Sequence, residues 1–206
     1  MCINSCLAFT GPFENDEVCH YCDEPHYDMK ILHASHGKKK VARQDFYTIP
    51  LGPQLQALSC STKGTMNIRH GHTQLRTIID GLKSTNGVLE EWSDIYHGEQ
   101  IIQAVKRGEI QERDMILMFS IDGAQLYRYK ASDTWIYIWV LFDLPPELRY
   151  KKKHVLSGGF IPGPNKPKNL DSFLFPGLHH AQTLMKHGFH FWDALDGKLY
   201  DCRPFV

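Results

Sequence analysis

Four of the six cysteines lie within the first 22 residues, in two close pairs: Cys2 with Cys6, and Cys19 with Cys22. The short turn inside each pair directs two thiolates toward one point, which suits a tetrahedral metal ion. The spacing predicts a structural zinc site closed by four sulfur ligands, with no position left for a reactive water. The alternatives are two disulfides, a chance cluster of buried thiols, or a site in which His20 or His26 replaces one sulfur.

A second candidate for chemistry is Asp122, which with Gly123 follows the apolar run Met115–Ile121. Such a run predicts a strand buried on both faces, and metal and ligand sites gather where such strands end. The alternative is an ordinary Asp-Gly hairpin turn, although the connection from Gly123 to Asp133 is longer than a tight hairpin needs. Asp122 is therefore a candidate functional carboxylate at the end of a buried strand.

The composition limits the classes of function. The chain has 206 residues, of which 42% are hydrophobic, so it can bury a real core. Its 23 basic and 23 acidic side chains exclude a grossly basic nucleic-acid binder and a disordered acidic chain. Any DNA contact must therefore come from local patches of basic residues. The longest apolar run, Trp135–Leu144, is too short to span a bilayer, and no signal peptide is evident, which predicts a soluble, intracellular protein.

The periodicity of apolar residues predicts the elements that position these candidates. Short helices are expected between 54 and 110, broken at Gly81, Asn86-Gly87 and Gly98, with His70-Gly71-His72 in a loop. Two more strands, Thr134–Phe142 and His154–Ile161, precede a helix that begins at Asn169 or Asp171, ends at His187 and has Leu178 among its inner residues. Two short apolar pieces, 189–192 and 199–206, finish the chain. Three strands followed by a helix predict an α/β fold whose sheet needs further strands.

Two groups of basic residues are candidate phosphate contacts. The first follows the cysteines and consists of Lys38, Lys39, Lys40 and Arg43, which could bind DNA or act as a nuclear address. The second flanks the third predicted strand and consists of Lys151, Lys152, Lys153, Lys166 and Lys168. A solvated linker and solubilising turns are the respective alternatives.

Several blocks of the sequence resemble CACTA-type (En/Spm-type) DNA transposases, and their fungal branch in particular. They are the run from Met118 to Tyr127, the block Asp143–Lys153, the stretch GGFIPGPNKPKN at 158–169 and the following Asp171–Pro176. The four-cysteine segment and the segment Phe46–Leu58 are similar as well. The resemblance extends over nearly the whole chain.

This resemblance implies an RNase H-like catalytic fold with a mixed sheet and three metal-binding carboxylates, the DDE arrangement, which acts on DNA with Mg²⁺ or Mn²⁺. Asp122 corresponds to the first carboxylate. The second closes a later strand, expected to begin at 204–206, and the third lies further on. We therefore expect an N-terminal fragment that is inactive alone, because Asp193, the best substitute among the remaining acidic residues, does not follow a buried strand beside the first.

The expected organisation is a zinc knuckle with a basic linker at 1–45, a helical spacer at 46–112 and the first half of the catalytic domain at 113–206. The expected partner is DNA at element ends, the expected location is the nucleus, and an unpaired sheet edge could mediate self-association. The alternative function is a non-catalytic, zinc-containing module that binds DNA or protein.

Overall fold

A computed structural model describes residues 1–87, 92–125 and 133–206. Residues 126–132, which include Leu126 and Tyr127 of the first resembling block, lie outside the described residues. The fold is mixed α/β. The helices are α1 (Met29–Ala34), α2 (Leu51–Ser59), α3 (Thr62–Ser84), α4 (Glu99–Lys106), α5 (Pro146–Arg149) and α6 (Leu170–His187). The strands are β1 (Tyr47–Thr48), β2 (Met115–Gln125), β3 (Asp133–Leu141), β4 (Leu156–Ile161), β5 (Phe189–Asp193), β6 (Lys198–Cys202) and β7 (Pro204–Phe205).

The chain forms two compact units. The cysteine unit comprises Met1–Pro50, Ser120–Ile138 and Ser157–His180, and the helical unit comprises Leu51–Phe119, Trp139–Leu156 and Ala181–Val206. Strands β2 to β4 and helix α6 each contribute residues to both. The expected boundaries at residues 45 and 112 stay a prediction about how the sequence is organised.

A mixed sheet has the strand order β1-β4-β3-β2-β7, and β5 and β6 form a separate hairpin. Strand β7 runs parallel to β2, with Met115 opposite Pro204. Strands β2 and β3 are antiparallel, because residues later in β2 contact residues earlier in β3, as three contacts show. Phe142 N donates to Ile116 O at 2.8 Å, the rings of Phe119 and Trp139 lie 5.0 Å apart, and Gly123 approaches Trp135.

Helix α3 corrects two predictions about the helical region. It runs unbroken from Thr62 through Gly71 and Gly81 to Ser84, so His70-Gly71-His72 lies in a helix and not in a loop. The Ser61 side chain caps its start by accepting from Gly64 N. An internal glycine costs a helix about 1 kcal/mol, which the burial of one apolar face offsets. That face consists of Ile68, Leu75, Ile78 and Leu82.

The three predicted strands and the predicted helix that ends at His187 agree with the structure apart from details. Strand β2 continues to Gln125 and is half-buried from Met118 to Ile121, so Asp122 lies within an extended strand and does not close a fully buried one. Asn169 accepts from Ser172 N at the start of α6, and the helix ends at Gly188, whose φ is positive. Leu178 is 40% exposed and is therefore not an inner residue.

Candidate metal centre and the strand that carries Asp122

The four N-terminal cysteines converge in the cysteine unit. Their sulfur atoms all lie within 4.8 Å of one another, with Cys22 Sγ 3.5 Å from Cys2 Sγ and 3.7 Å from Cys6 Sγ. These separations are too long for disulfides, and all four are free thiols. A zinc–sulfur bond of about 2.3 Å places tetrahedral sulfurs about 3.8 Å apart, so the cluster has the dimensions of a four-thiolate metal centre.

Local backbone turns produce this convergence. The turn that joins Cys2 to Cys6 contains Ser5 at a positive φ of 56°, and the one after Cys22 contains Asp23 at 57°. Asn4 N approaches Cys2 Sγ at 3.4 Å, and the Asn4 side-chain amide approaches Cys22 Sγ at 3.6 Å. Donors directed at sulfur stabilise thiolates and hold them in position for a metal.

Burial makes two of the four thiols, Cys6 and Cys19, weaker acids than usual while no cation is bound. Burial, together with hydrogen bonding to Cys22, raises the pKa of Cys6 to about 12. Burial also opposes ionisation of Cys22, but hydrogen bonds from the Glu24 amide and the Asn4 side chain lower its pKa to about 7. A bound Zn²⁺ would supply the positive charge that stabilises the four thiolates. Such a site cross-links the chain and holds no open position for catalysis.

The cysteine centre is fixed to helix α6 within the same unit. The amides of Lys168 and Asn169 both donate to Cys6 O, at 3.0 and 2.9 Å, and Ala8 N donates to Ser172 Oγ at 2.8 Å. The neighbouring apolar cluster includes Phe173, which is fully buried. The cysteine segment and the start of α6 are therefore joined by direct hydrogen bonds.

Asp122 has a simpler environment. Its side chain is exposed, and Oδ1 accepts from the next amide, Gly123 N, at 2.8 Å. Across 1–87, 92–125 and 133–206, the four cysteines form the one cluster of metal-type ligands that the structure contains. One carboxylate does not satisfy Mg²⁺, which takes near-octahedral oxygen ligands. The described residues thus do not themselves form the magnesium site that the resemblance implies.

Asp193 and Asp143 are both fully buried but have structural partners. Asp193, the candidate substitute for a second carboxylate, is held by Arg69 at 2.8 Å. Burial would raise its pKa, but the Arg69 hydrogen bond and backbone amides keep the pKa below its usual value. Asp143 follows β3 and accepts from Ile116 N at 2.8 Å. Asp171 is exposed in the first turn of α6.

The predicted DNA-binding residues differ in how far their charge is already neutralised. Lys40 Nζ lies 2.7 Å from Glu17 Oε1, and Arg43 is paired with Glu24. Lys38 and Lys39 are exposed, and their side chains form no ion pair within the described parts of the chain. Lys166 and Lys168 lie over the rings of Trp135 and Tyr21, at 5.3 and 5.9 Å. Lys151, Lys152 and Lys153 are exposed in the turn before β4.

Sequence reasoning missed a buried network in the helical unit. Arg149, only 4% exposed, donates to both carboxylate oxygens of Asp94 at 2.6 Å and to the carbonyl oxygens of Phe142 and Leu144. Asp143 Oδ1 and the Tyr96 hydroxyl both lie close against Gly71. The sequence signal for Arg149 was its place in the block Asp143–Lys153, which resembles the transposases.

Comparison with known proteins identifies one match. Residues 87–206 match the family model described as transposase family tnp2. No curated protein and no solved structure matches the chain. In the part of the chain that the structure describes, no helix combines the length and apolar character needed to cross a membrane.

Proposed function

This chain belongs to the transposase family tnp2, and we propose that it supplies part of the catalytic core of a CACTA-type DNA transposase of the fungal branch. In this proposal the core is RNase H-like, and Asp122 is the first of three carboxylates that hold Mg²⁺ or Mn²⁺ for DNA cleavage and strand transfer. The single observation that carries it is the family match, which extends over β2 and Asp122.

The strand pairing at β7 supports the position of Asp122. Strand β7 is parallel to β2, with Met115 opposite Pro204 and Ile116 opposite Phe205, a constant offset of 89 residues. Extended at this offset, the register would place position 211, five residues beyond Val206, beside Asp122. Adjacent parallel strands end at the same edge of a sheet, so metal ligands at their ends lie close together. We therefore expect the second carboxylate near that position in any product that extends past Val206.

The chemistry explains why we propose that these 206 residues alone do not cleave DNA. In-line displacement at phosphate uses two divalent ions that flank the reacting group, and one aspartate cannot hold both. Purified chain with Mn²⁺ or Mg²⁺ should leave DNA that carries the element ends intact. Reproducible nicking that Asp122→Asn abolishes would contradict the proposed inactivity.

The catalytic assignment itself is tested in a longer product. The transcript is read past the codon for Val206, and the encoded protein is assayed with Mn²⁺. We expect an acidic residue near position 211 and nicking that is lost in Asp122→Asn but kept in Asp171→Asn, a matched exposed aspartate of the cysteine unit. Equal activity in the two variants would remove Asp122 from the catalytic set.

DNA binding is proposed for the basic run after the cysteines. Its paired and unpaired lysines can be compared in a binding experiment. Replacing Lys38 and Lys39 by alanine should lower the salt dependence of DNA binding by about two phosphate contacts. Replacing Lys40, whose charge Glu17 already compensates, should have a smaller effect. Equal effects would indicate a general loss of charge and not a defined contact. A reporter fused to 38–43 tests the proposed nuclear location of the protein.

The alternative function is a binding module that keeps the metal centre without catalysis. The complete four-cysteine cluster favours it, because this site needs no residue from elsewhere. DNA binding that survives Asp122→Asn but is lost after chelation would support this alternative. Self-association at the sheet edge also stays a proposal, and sedimentation of the chain over a range of concentrations tests it.

A further inference from the structure

A small polar pocket of about 230 Å³ lies in the helical unit, and its lining includes none of the residues predicted to bind DNA. Helix α3 lines it with Arg69, His72, Thr73 and Arg76, and the segment before β2 adds Glu112 and Arg113. The four helical positions follow the spacing i, i+3, i+4, i+7 and so share one face of α3. Three guanidinium groups therefore meet around one cavity.

The three arginines differ in how their charges are balanced. Arg69 is bound by Asp193 at 2.8 Å and Asp196 at 2.7 Å, and Arg76 is paired with Glu112. Arg113 forms no ion pair within the described residues. Its guanidinium instead lies 3.7 Å from the centre of the Tyr200 ring. Stacking on a ring fixes the plane of a guanidinium and leaves the N–H donors at its edge available.

His72 adds to the polar character of the pocket without adding charge. Burial, and then the positive charge of Arg113, lower the pKa of His72 to about 4. The ring is therefore neutral at pH 7, and its buried Nε2 has no hydrogen-bond partner among the described residues. Glu112 is the one acidic residue of the described lining and pairs with Arg76, while Arg69 is paired with two aspartates. Arg113 therefore carries the one lining charge that no ion pair within the described residues neutralises.

From this arrangement we propose that the pocket binds a phosphate of the DNA backbone, with Arg113 as the principal donor. Guanidinium groups bind phosphate oxygens through two parallel N–H bonds, and Arg113 is the one lining arginine whose donors no carboxylate occupies. The inference rests on the proposed function, because it takes DNA as the source of the phosphate. It adds a contact on α3 and the start of β2 that the charge patterns of the sequence did not indicate.

The test compares Arg113→Gln with Arg107→Gln in the 206-residue chain. Arg107 is an exposed arginine of the same unit whose charge Glu109 neutralises at 2.7 Å. Binding to a mixed-sequence duplex is measured over a range of salt concentrations. We expect Arg113→Gln to weaken binding about tenfold and to reduce the salt slope by about 0.9, the value for one phosphate, while Arg107→Gln matches the wild type. Arg113→Lys should keep the slope but lose part of the affinity, because it keeps the charge and loses the planar fork.

Two outcomes overturn the inference. If Arg113→Gln binds DNA with wild-type affinity and slope while Lys38→Ala/Lys39→Ala binds weakly, the pocket does not contact DNA and the proposed function stands. If the wild type binds no DNA, the proposed function fails. A titration with inorganic phosphate then tests separately whether the pocket binds an anion. A rise in melting temperature in the wild type but not in Arg113→Gln would then support an anion pocket, and no rise in either would reject it. Matching melting temperatures without phosphate confirm that Arg113→Gln is folded.

Discussion

The cysteine centre and the Arg149 network solve the same physical problem in different ways. Each buries groups that are costly to remove from water without partners. In the cysteine unit, four thiols converge from a stretch of 22 residues, and a metal ion would supply the balancing charge. In the helical unit, Arg149 reaches Asp94, 55 residues away in the chain, and the carbonyl groups after β3. The first arrangement is local and depends on an external ion, whereas the second is assembled by the fold and is self-contained.

Because of this difference, the two regions lose stability for different reasons. A site completed by an ion is lost when the ion is withdrawn, even though no residue has changed. A site completed by side chains fails only when one of them is removed, and then the partner is left buried with an uncompensated charge.

Withdrawal of metal should affect the cysteine unit most. Chelation, or Cys19→Ser, is expected to lower the free energy of unfolding by at least about 5 kcal/mol, because structural zinc contributes about 10–16 kcal/mol of apparent binding energy in small domains. Metal content by atomic absorption and circular dichroism melting would measure it. The control is Cys60→Ser, an exposed thiol outside the cluster, which should keep one zinc per chain. Equal stability with and without chelator would show that the centre does not depend on metal.

Arg149→Ala should cost about 3–5 kcal/mol of stability, because it leaves Asp94 and two carbonyl groups without their donor. Arg107 provides the control, since it makes an equally short two-bond contact with Glu109 but on the surface. Arg107→Ala should leave the stability close to that of the wild type, because exposed ion pairs contribute little. Urea unfolding of both variants measures the difference. Similar losses would mean that burial does not distinguish the two pairs.

Gly71→Ala should destabilise the helical unit by about 1–3 kcal/mol through overpacking. A methyl carbon at Gly71 would lie 2.5 Å from the Asp143 Cα, a backbone atom that cannot easily move aside. The same change at Gly81 meets nothing within 4 Å and should stabilise α3 by about 0.5–1 kcal/mol. Opposite signs in thermal unfolding are the expected result, and a loss at both positions would contradict this account of the Asp143 contact.

The last prediction concerns the dependence of folding stability on pH. Burial raises the pKa of Asp143 from its usual 3.8 to about 7, although the Ile116 amide and the charge of Arg149 act against this. A raised carboxyl pKa means that the folded state binds the proton more tightly. The Asp143 contribution is therefore most favourable below pH 4, is lost as the pH rises toward 7, and stays constant above that value.

Asp143→Asn removes this dependence. Between pH 5 and pH 7 its stability should rise relative to the wild type by up to about 1.4 kcal/mol per pH unit. Both proteins keep the cysteine centre, so its own pH response cancels in the difference. Parallel stability curves for the two proteins over that range would refute the raised pKa.

Local patterns in the sequence predicted much of the molecule. The spacing of the cysteines predicted the four-cysteine cluster, and the apolar run after Asp114 predicted β2. The capping residue Asn169 and Gly188 gave the bounds of α6. The predictions failed where a distant contact overrides a local preference. Gly81 does not end a helix because α3 buries one apolar face, and Leu178 is exposed because it lies away from the face of α6 that packs inward.

The sequence by itself determined the four-cysteine site, because short turns bring its ligands together and four thiolates suffice to specify the chemistry. It also determined family membership, through a match that spans residues 87–206. Only the tertiary structure decided that Asp143 and Arg149 are buried in a shared network, that Gly71 must lack a side chain, and that three arginines meet at one pocket. Contacts between residues far apart in the chain depend on how helices and strands pack, and neither residue type nor spacing encodes that packing locally.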